Sequence, residues 1–138
     1  MMIRVEELMT PIVITLSEED TVARAAEDMR LGAFRHLPVV NAQGQVVGML
    51  SDRDVLRAQA TRGGDGLRVA GIMSRAVLVL PPEAPAFRAA ELMMERKIGA
   101  VPVVDERRAL VGIVTETDLL GVAHAALHGR VGADLLNV

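Results

Sequence analysis

Two segments of this chain carry hydroxyls and carboxylates at a spacing that can do chemistry. Gly48-Met49-Leu50-Ser51-Asp52-Arg53-Asp54 is echoed by Gly112-Ile113-Val114-Thr115-Glu116-Thr117-Asp118. Each reads as a strand that delivers a hydroxyl and then, three residues later, a carboxylate at a helix start. Exposed N–H groups and the positive dipole end at such a start favour an anionic ligand group. An ionised carboxylate can accept both hydrogen bonds of a ribose diol, while Ser51 or Thr115 can serve ribose or phosphate. The same Ser/Thr-x-x-Asp spacing is also a helix capping box, in which the side chains serve only their own backbone. Its recurrence beside Gly48 and Gly112, where a strand backbone can be approached closely, weighs toward a ligand. Phosphate in a partly desolvated cleft needs compensating cations. Arg35, His36 and Arg53 stand near the first motif, whereas Gly99, Ala100 and Thr117 occupy the matching positions of the second. The expectation is one phosphate-competent site, preferring the copy that carries Arg35 and Arg53, and one weaker or vacant site; the alternatives are that these arginines are solvated surface charges, or that a cleft borrows them across the pair.

Other candidate groups carry less. His124 and His128 are spaced i, i+4 on the last helix, but no Cys or third ligand stands nearby, so no metal is expected. Placement near a helix C-terminus explains them more cheaply. Glu6-Glu7 and Glu18-Glu19 read as solvated acids. No nucleophile–base pair with a positioned third group is visible, so the chain is not expected to be an enzyme.

The elements that must position these groups come from a duplication. Val5–Ala58 aligns with Val69–Val122 at a constant offset of 64 without a gap, and 17 of 54 positions are identical. Each copy predicts a short helical turn (Arg4–Met9; Val69–Met73) and a brief strand (Ile12–Thr15; Ala76–Val79). A helix follows, with one apolar face made by Val22, Ala25, Ala26 and Met29 or by Ala86, Ala89, Ala90 and Met93. Asp20 reads as the N-cap of the first such helix, and Pro85 suits the first turn of the second. Buried strands Leu37–Val40 and Val101–Val104 turn at the polar segments Asn41–Gly44 and Asp105–Arg108. They return as Gln45–Leu50 and Ala109–Val114, and helices start at Asp52 and Glu116. The expected organisation is repeat 1 over 1–60, a flexible Gly-rich linker over 61–68, repeat 2 over 69–128 and a tail over 129–138. One unit is too small to bury its own sheet, so the pair is expected to share a core.

Composition bounds the function. The 138 residues are 51% apolar and include eight Met and two Phe, but no Trp, Tyr or Cys. A flat ligand would therefore lie between aliphatic side chains, and disulfides and thiolate chemistry are excluded. Net charge is −3 and Lys97 is the one lysine, which argues against nucleic acid as a partner. No apolar run approaches the roughly 18 residues that span a bilayer, and the N-terminus lacks a signal-peptide core, so the expected location is the cytoplasm. The final helix (Leu119, Leu120, Val122, Ala123, Ala126, Leu127) is apolar over much of its circumference, which predicts self-association.

Three blocks per copy carry a resemblance to a known family. They are Met9-Thr10-Pro11-Ile12-Val13 with Met73-Ser74-Arg75-Ala76-Val77, Arg35-His36-Leu37-Pro38-Val39 with Gly99-Ala100-Val101-Pro102-Val103, and the two Ser/Thr-x-x-Asp segments. The chain resembles a tandem pair of CBS (cystathionine β-synthase) domains, a Bateman module, with a flavour similar to stand-alone acetoin-utilisation proteins. The resemblance implies a mixed α/β fold of two β-α-β-β-α repeats related by a pseudo-two-fold axis. It implies clefts for adenosine-containing ligands: AMP, ADP, ATP or S-adenosylmethionine. Asp54 and Asp118 become ribose ligands, and Ser51 and Thr115 the accompanying hydroxyls. Residues around Ile12, Leu37, Ala76 and Val101 become base-lining walls, with Thr10, Pro38, Ala100 and Pro102 in the same blocks. The expected protein is a homodimeric, ligand-sensing regulator of an unknown partner, with the nucleotide as regulatory ligand rather than cofactor. The rival is a structural dimerisation module with vestigial clefts.

Overall fold

The computed structural model describes residues 2–11 and 14–136. Helix α1 (Val5–Leu8) leads to α2 (Val22–Gly32), the hairpin β1 (His36–Val40) and β2 (Val46–Ser51), and α3 (Asp52–Gln59). The second half repeats the plan with a 3₁₀ turn (Val69–Gly71), α4 (Phe87–Arg96), the hairpin β3 (Ala100–Val104) and β4 (Leu110–Thr115), and α5 (Glu116–Leu136). Both hairpins are antiparallel with equivalent registers: His36 faces Ser51 and Ala100 faces Thr115, with an irregularity at Val39/Val40 and at Val103/Val104.

The predicted first strand of each repeat is reduced to a single parallel bridge, Leu16 to Val39 and Leu80 to Val103. Proline explains the truncation. Leu16 N–H donates to the Pro38 carbonyl at 2.9 Å and Leu80 N–H to that of Pro102 at 3.1 Å, so the nitrogens of both prolines face these segments. The N–H that would extend the ladder toward Ile14 or Leu78 does not exist. Ile12, read as a wall of the base pocket, lies outside the described residues.

Three further local expectations are corrected. Thr21, not Asp20, caps α2: its hydroxyl accepts from Arg24 N at 3.2 Å, while the Asp20 carboxylate accepts from Ser17 N at 2.8 Å. Pro85 lies ahead of α4, whose N-cap is Ala86. The segment read as a flexible linker is an ordered corner with a 3₁₀ turn at Gly64–Gly66. A Cβ on Gly64 would lie 2.0 Å from the Ala58 carbonyl oxygen, so the turn sits directly on the end of α3.

The halves are interlocked. Val5 N–H donates to Ala84 O at 2.8 Å, and Thr10 and Ile113 exchange two backbone bonds of 2.9 and 3.0 Å, so the first leader packs on the second repeat. In the mirror arrangement Val69 N–H donates to Asp20 O at 2.7 Å, and Met49 and Ser74 exchange bonds of 2.9 Å. Burial follows the exchange. Val69 and Met73 join Leu16, Ala25, Leu37 and Leu50 in one core. Val5 joins Leu80, Ala89, Val101 and Val114 in the other. The hairpin tips also meet across the pseudo-two-fold axis: Val46 N–H donates to Arg108 O and Leu110 N–H to Gly44 O, at 3.2 and 3.1 Å.

This exchange explains the repeated glycines. A Cβ on Gly48 would fall 2.4 Å from Met73 Sδ, and one on Gly112 would fall 2.5 Å from Met9 Sδ. The close approach expected of a ligand at these strands is made instead by a methionine from the opposite leader. Met9 and Met73 thus recur as packing partners of Gly112 and Gly48.

Candidate functional site

Strand and helix meet at each Ser/Thr-x-x-Asp segment as the spacing predicts. At the first, Asp54 Oδ2 accepts from Ser51 N at 3.0 Å while Ser51 Oγ accepts from Asp54 N at 3.1 Å. At the second, Asp118 Oδ2 accepts from Thr115 N at 2.8 Å and from the Thr115 hydroxyl at 3.2 Å, while Thr115 Oγ1 accepts from Asp118 N at 3.4 Å. Both junctions are therefore capping boxes. In each carboxylate the bonds engage Oδ2, and Oδ1 has no hydrogen-bond donor among the described residues. Each helix start is tied to the entry of a hairpin: Asp52 N–H donates to Arg35 O at 2.8 Å and Glu116 N–H to Gly99 O at 3.1 Å. These bonds place the loops ahead of β1 and β3 beside the helix N-termini.

Two open clefts result. The first, about 430 Å³, brings Ser51, Arg53 and Asp54 together with Ala76 of the second leader and Ala100 of β3. Ser74, Lys97 and Ile98 line it as well, as do the acids Asp52 and Glu116, and the sequence reading gave none of these five a ligand-binding role. Lys97 had a signal, since it is the lone lysine and stands two residues ahead of the Gly99 block. It closes α4 in a left-handed conformation, φ 53°, matched by Ala33 at φ 55° after α2. No ion-pair partner is found for Arg35, Arg53 or Lys97 among the described residues.

The second cleft, about 520 Å³, is lined by Thr10, Thr115, Leu37 and Pro38, and also by Ile14, Phe34, Thr117 and Leu120. Leu37 is buried in the core, so it backs this cleft rather than projecting into it. Val101 and Pro102 are buried and line neither cleft, and the half-buried Asp118 also lies outside both linings. Arg35 and His36 do not belong to the first site alone, since they line both clefts. Interlocking is the reason: the entry to β1 lies at the pseudo-two-fold axis, between the two helix starts.

His36 is held below the ordinary imidazole range, chiefly because burial disfavours its cation. Asp52, Glu116 and Asp54 oppose that shift and Arg35 adds to it. The ring lies against Gly99, where a Cβ would fall 2.7 Å from its Cε1. The first cleft thus combines the Ser51 hydroxyl and a free Asp54 carboxylate oxygen with three cations, Arg35, Arg53 and Lys97, and two further acids, Asp52 and Glu116; the carboxylate can take a sugar diol and the cations a phosphate. The second offers hydroxyls and an apolar wall. Among the described residues no cluster of three or more metal-ligating side chains occurs. No helix there is long and apolar enough to cross a membrane.

Comparison with known proteins places these clefts in a context. The CBS domain profile matches residues 5–61 and 69–125. A homoserine O-acetyltransferase of Methanococcoides burtonii is 37% identical over 83% of this chain, but the match spans only 23% of that enzyme's length. The crystal structure of a protein described as an acetoin utilization protein (AcuB) from Vibrio cholerae superposes with a TM-score of 0.82 at 33% identity, covering 93% of this chain and 95% of that one. The CBS domain pair of protein MJ0100, solved with 5′-methylthioadenosine and S-adenosylmethionine, gives a TM-score of 0.83 at 28% identity over 91% and 98% of the two chains. Two further structures of the same fold hold AMP and ATP.

Proposed function

Since this chain belongs to the CBS-domain family and carries two such domains in tandem, we propose that it is a ligand-sensing regulatory module that binds an adenosine-containing molecule in the clefts between its repeats. The observation that supports this most is the first cleft, where Ser51 and the free Oδ1 of Asp54 stand beside Arg53, Lys97 and Arg35. Asp54 takes the ribose hydroxyls, the cations take phosphate, and Ala76, Ile98 and Ala100 hold the base without aromatic stacking. A nucleotide carrying phosphate, such as AMP, ADP or ATP, fits this cleft better than the second. Binding there bridges both repeats and stabilises one arrangement of the pair, which is how occupancy is read by a partner protein. The module works in the cytoplasm without catalysing a reaction. It assembles as a homodimer through the groove between α4 and α5, where Met94 and Leu120 are 72% and 67% exposed.

The capping geometry supports the rival reading, in which Ser51–Asp54 and Thr115–Asp118 serve only their helices and the pair is a dimerisation scaffold. Calorimetric titration with AMP, ADP, ATP and S-adenosylmethionine separates the two. Binding of at least one below millimolar, weakened by Asp54→Ala, is the expected result. Silence from all four ligands leaves the scaffold. Without Trp or Tyr the chain barely absorbs at 280 nm, so copurified nucleotide is also visible directly in its ultraviolet spectrum.

A further inference from the structure

The two clefts share one wall, and the basic groups on that wall come from one repeat only. Arg35, His36, Gly99 and Glu116 line both clefts. At the repeat offset of 64 the mates of Arg35 and His36 are Gly99 and Ala100, so the shared wall holds one arginine and one histidine instead of two of each. Among the described residues the second cleft has no charge of its own, because each of its charged or protonatable residues (Arg35, His36, Glu116) also lines the first. The first keeps Arg53 and Lys97 to itself, together with Asp52 and Asp54.

We infer that the clefts are coupled by charge: a phosphate bound in the first cleft engages Arg35 and His36, and thereby disfavours a second phosphate in the second cleft while leaving an uncharged nucleoside unaffected. The inference rests on the reading of these clefts as nucleotide sites. Its physical basis is that one cation compensates one anion, and two phosphates against a common wall repel in a medium less polar than water. Coupling of this kind is reciprocal, so a phosphate placed first in the second cleft weakens the first by the same factor. Asp52, Asp54 and Glu116 also face His36, which makes an additional phosphate there harder to accommodate while the ring is neutral. Thr10, Thr115 and Thr117 remain to hold a neutral nucleoside through its hydroxyls.

The test compares the second cleft with the first filled and with the first plugged. Ala76 and Ser74 are exposed and line only the first cleft, so Ala76→Phe, with Ser74→Trp as an independent plug, blocks it while the fold is checked by thermal unfolding. AMP and adenosine are titrated calorimetrically into both plugged variants and into wild-type protein already saturated with AMP in its tighter site. The expected result is AMP affinity for the second cleft about tenfold lower in AMP-filled than in plugged protein, within the range usual for coupled sites, with adenosine affinity unchanged. Arg35→Ala combined with His36→Ala abolishes the difference. Equal AMP affinity in filled and plugged protein overturns the coupling and leaves the nucleotide reading intact. Equal weakening of adenosine overturns charge as the cause, and a plugged protein that binds adenosine but never AMP overturns the second cleft as a phosphate competitor. No AMP binding to wild-type protein at all defeats the nucleotide reading itself.

Discussion

The first and second clefts are built by the same backbone device and differ in what side chains were left on it. In both, a strand ends in a hydroxyl that caps the next helix, a carboxylate three residues on returns the cap, and the leader of the opposite repeat closes the far side. Where the first has Arg53 and Lys97, the second has Thr117 and Ala33. The difference teaches that backbone geometry and ligand chemistry are separable in a duplicated fold. Caps, bridges and hairpin registers are kept because they hold the cores together, whereas charge at the cleft is free to diverge.

Removal of the carboxylate proposed to accept the ribose contrasts the clefts most strongly. Asp54→Ala should weaken nucleotide binding at the first cleft by roughly 10–150-fold, the loss of a charge-assisted contact of about 1.5–3 kcal/mol. Asp118→Ala should leave that affinity nearly unchanged, although each variant loses the returning carboxylate bond of its capping box and about 1 kcal/mol of stability. Calorimetry and chemical denaturation on the same two proteins test both statements, and equal affinity losses would erase the distinction between the clefts.

Exchange of the divergent cation is the next test. Arg53→Thr, which gives the first cleft the residue at the matching position of the second, should reduce AMP affinity by about tenfold and spare adenosine, because only a phosphate contact is removed. Thr117→Arg should strengthen AMP binding at the second cleft. Identical behaviour of AMP and adenosine in these variants would mean that Arg53 lies outside the phosphate's reach.

A smaller effect is expected from pH. His36 titrates below its ordinary value of 6.5 in the folded protein because it is buried. As pH falls below that value the unfolded chain takes up the proton first, so stability declines until the folded-state value is passed and then levels off. A bound phosphate favours the imidazolium, so wild-type AMP affinity should rise by a few-fold over the same interval, relative to His36→Gln, which controls for protonation of the phosphate itself. Parallel affinity profiles in the two proteins would remove His36 from the site. The smallest effect is expected of Gly99→Ala. Its Cβ would fall 2.7 Å from His36 Cε1 and 2.8 Å from Glu116 Oε1, both on side chains that can move, so the shift in stability should stay within about 1 kcal/mol. AMP affinity should respond more than adenosine affinity, and titration of both ligands into the variant checks this.

Much of the architecture was legible from the chain alone. The offset of 64 with 17 shared residues identified two like units, and apolar runs with polar turns located both hairpins within a residue or so. Ser51, Arg53, Asp54, Thr115 and Thr10 were recognisable as cleft residues because local hydrogen bonding and repeat position determine where they sit. The leader strands were misread because the limit on them is set by Pro38 and Pro102 across the sheet, which a local apolar pattern does not register. Gly48 and Gly112 were correctly read as sites of close approach, but not as the seats of Met73 and Met9 from the opposite half.

The sequence by itself determined the duplication, the capping boxes, the hairpins and the poverty of aromatic groups, since each depends on residues close in the chain or on composition. Only the tertiary structure decided which leader closes which cleft, why Lys97 joins Asp54, and why Arg35 and His36 serve two clefts at once. The reason is that these pairings follow from exchange of segments across the pseudo-two-fold axis. Burial of Val5 and Val69 in the opposite cores drives that exchange, and the repeat pattern is the same whether each leader packs on its own unit or on the other.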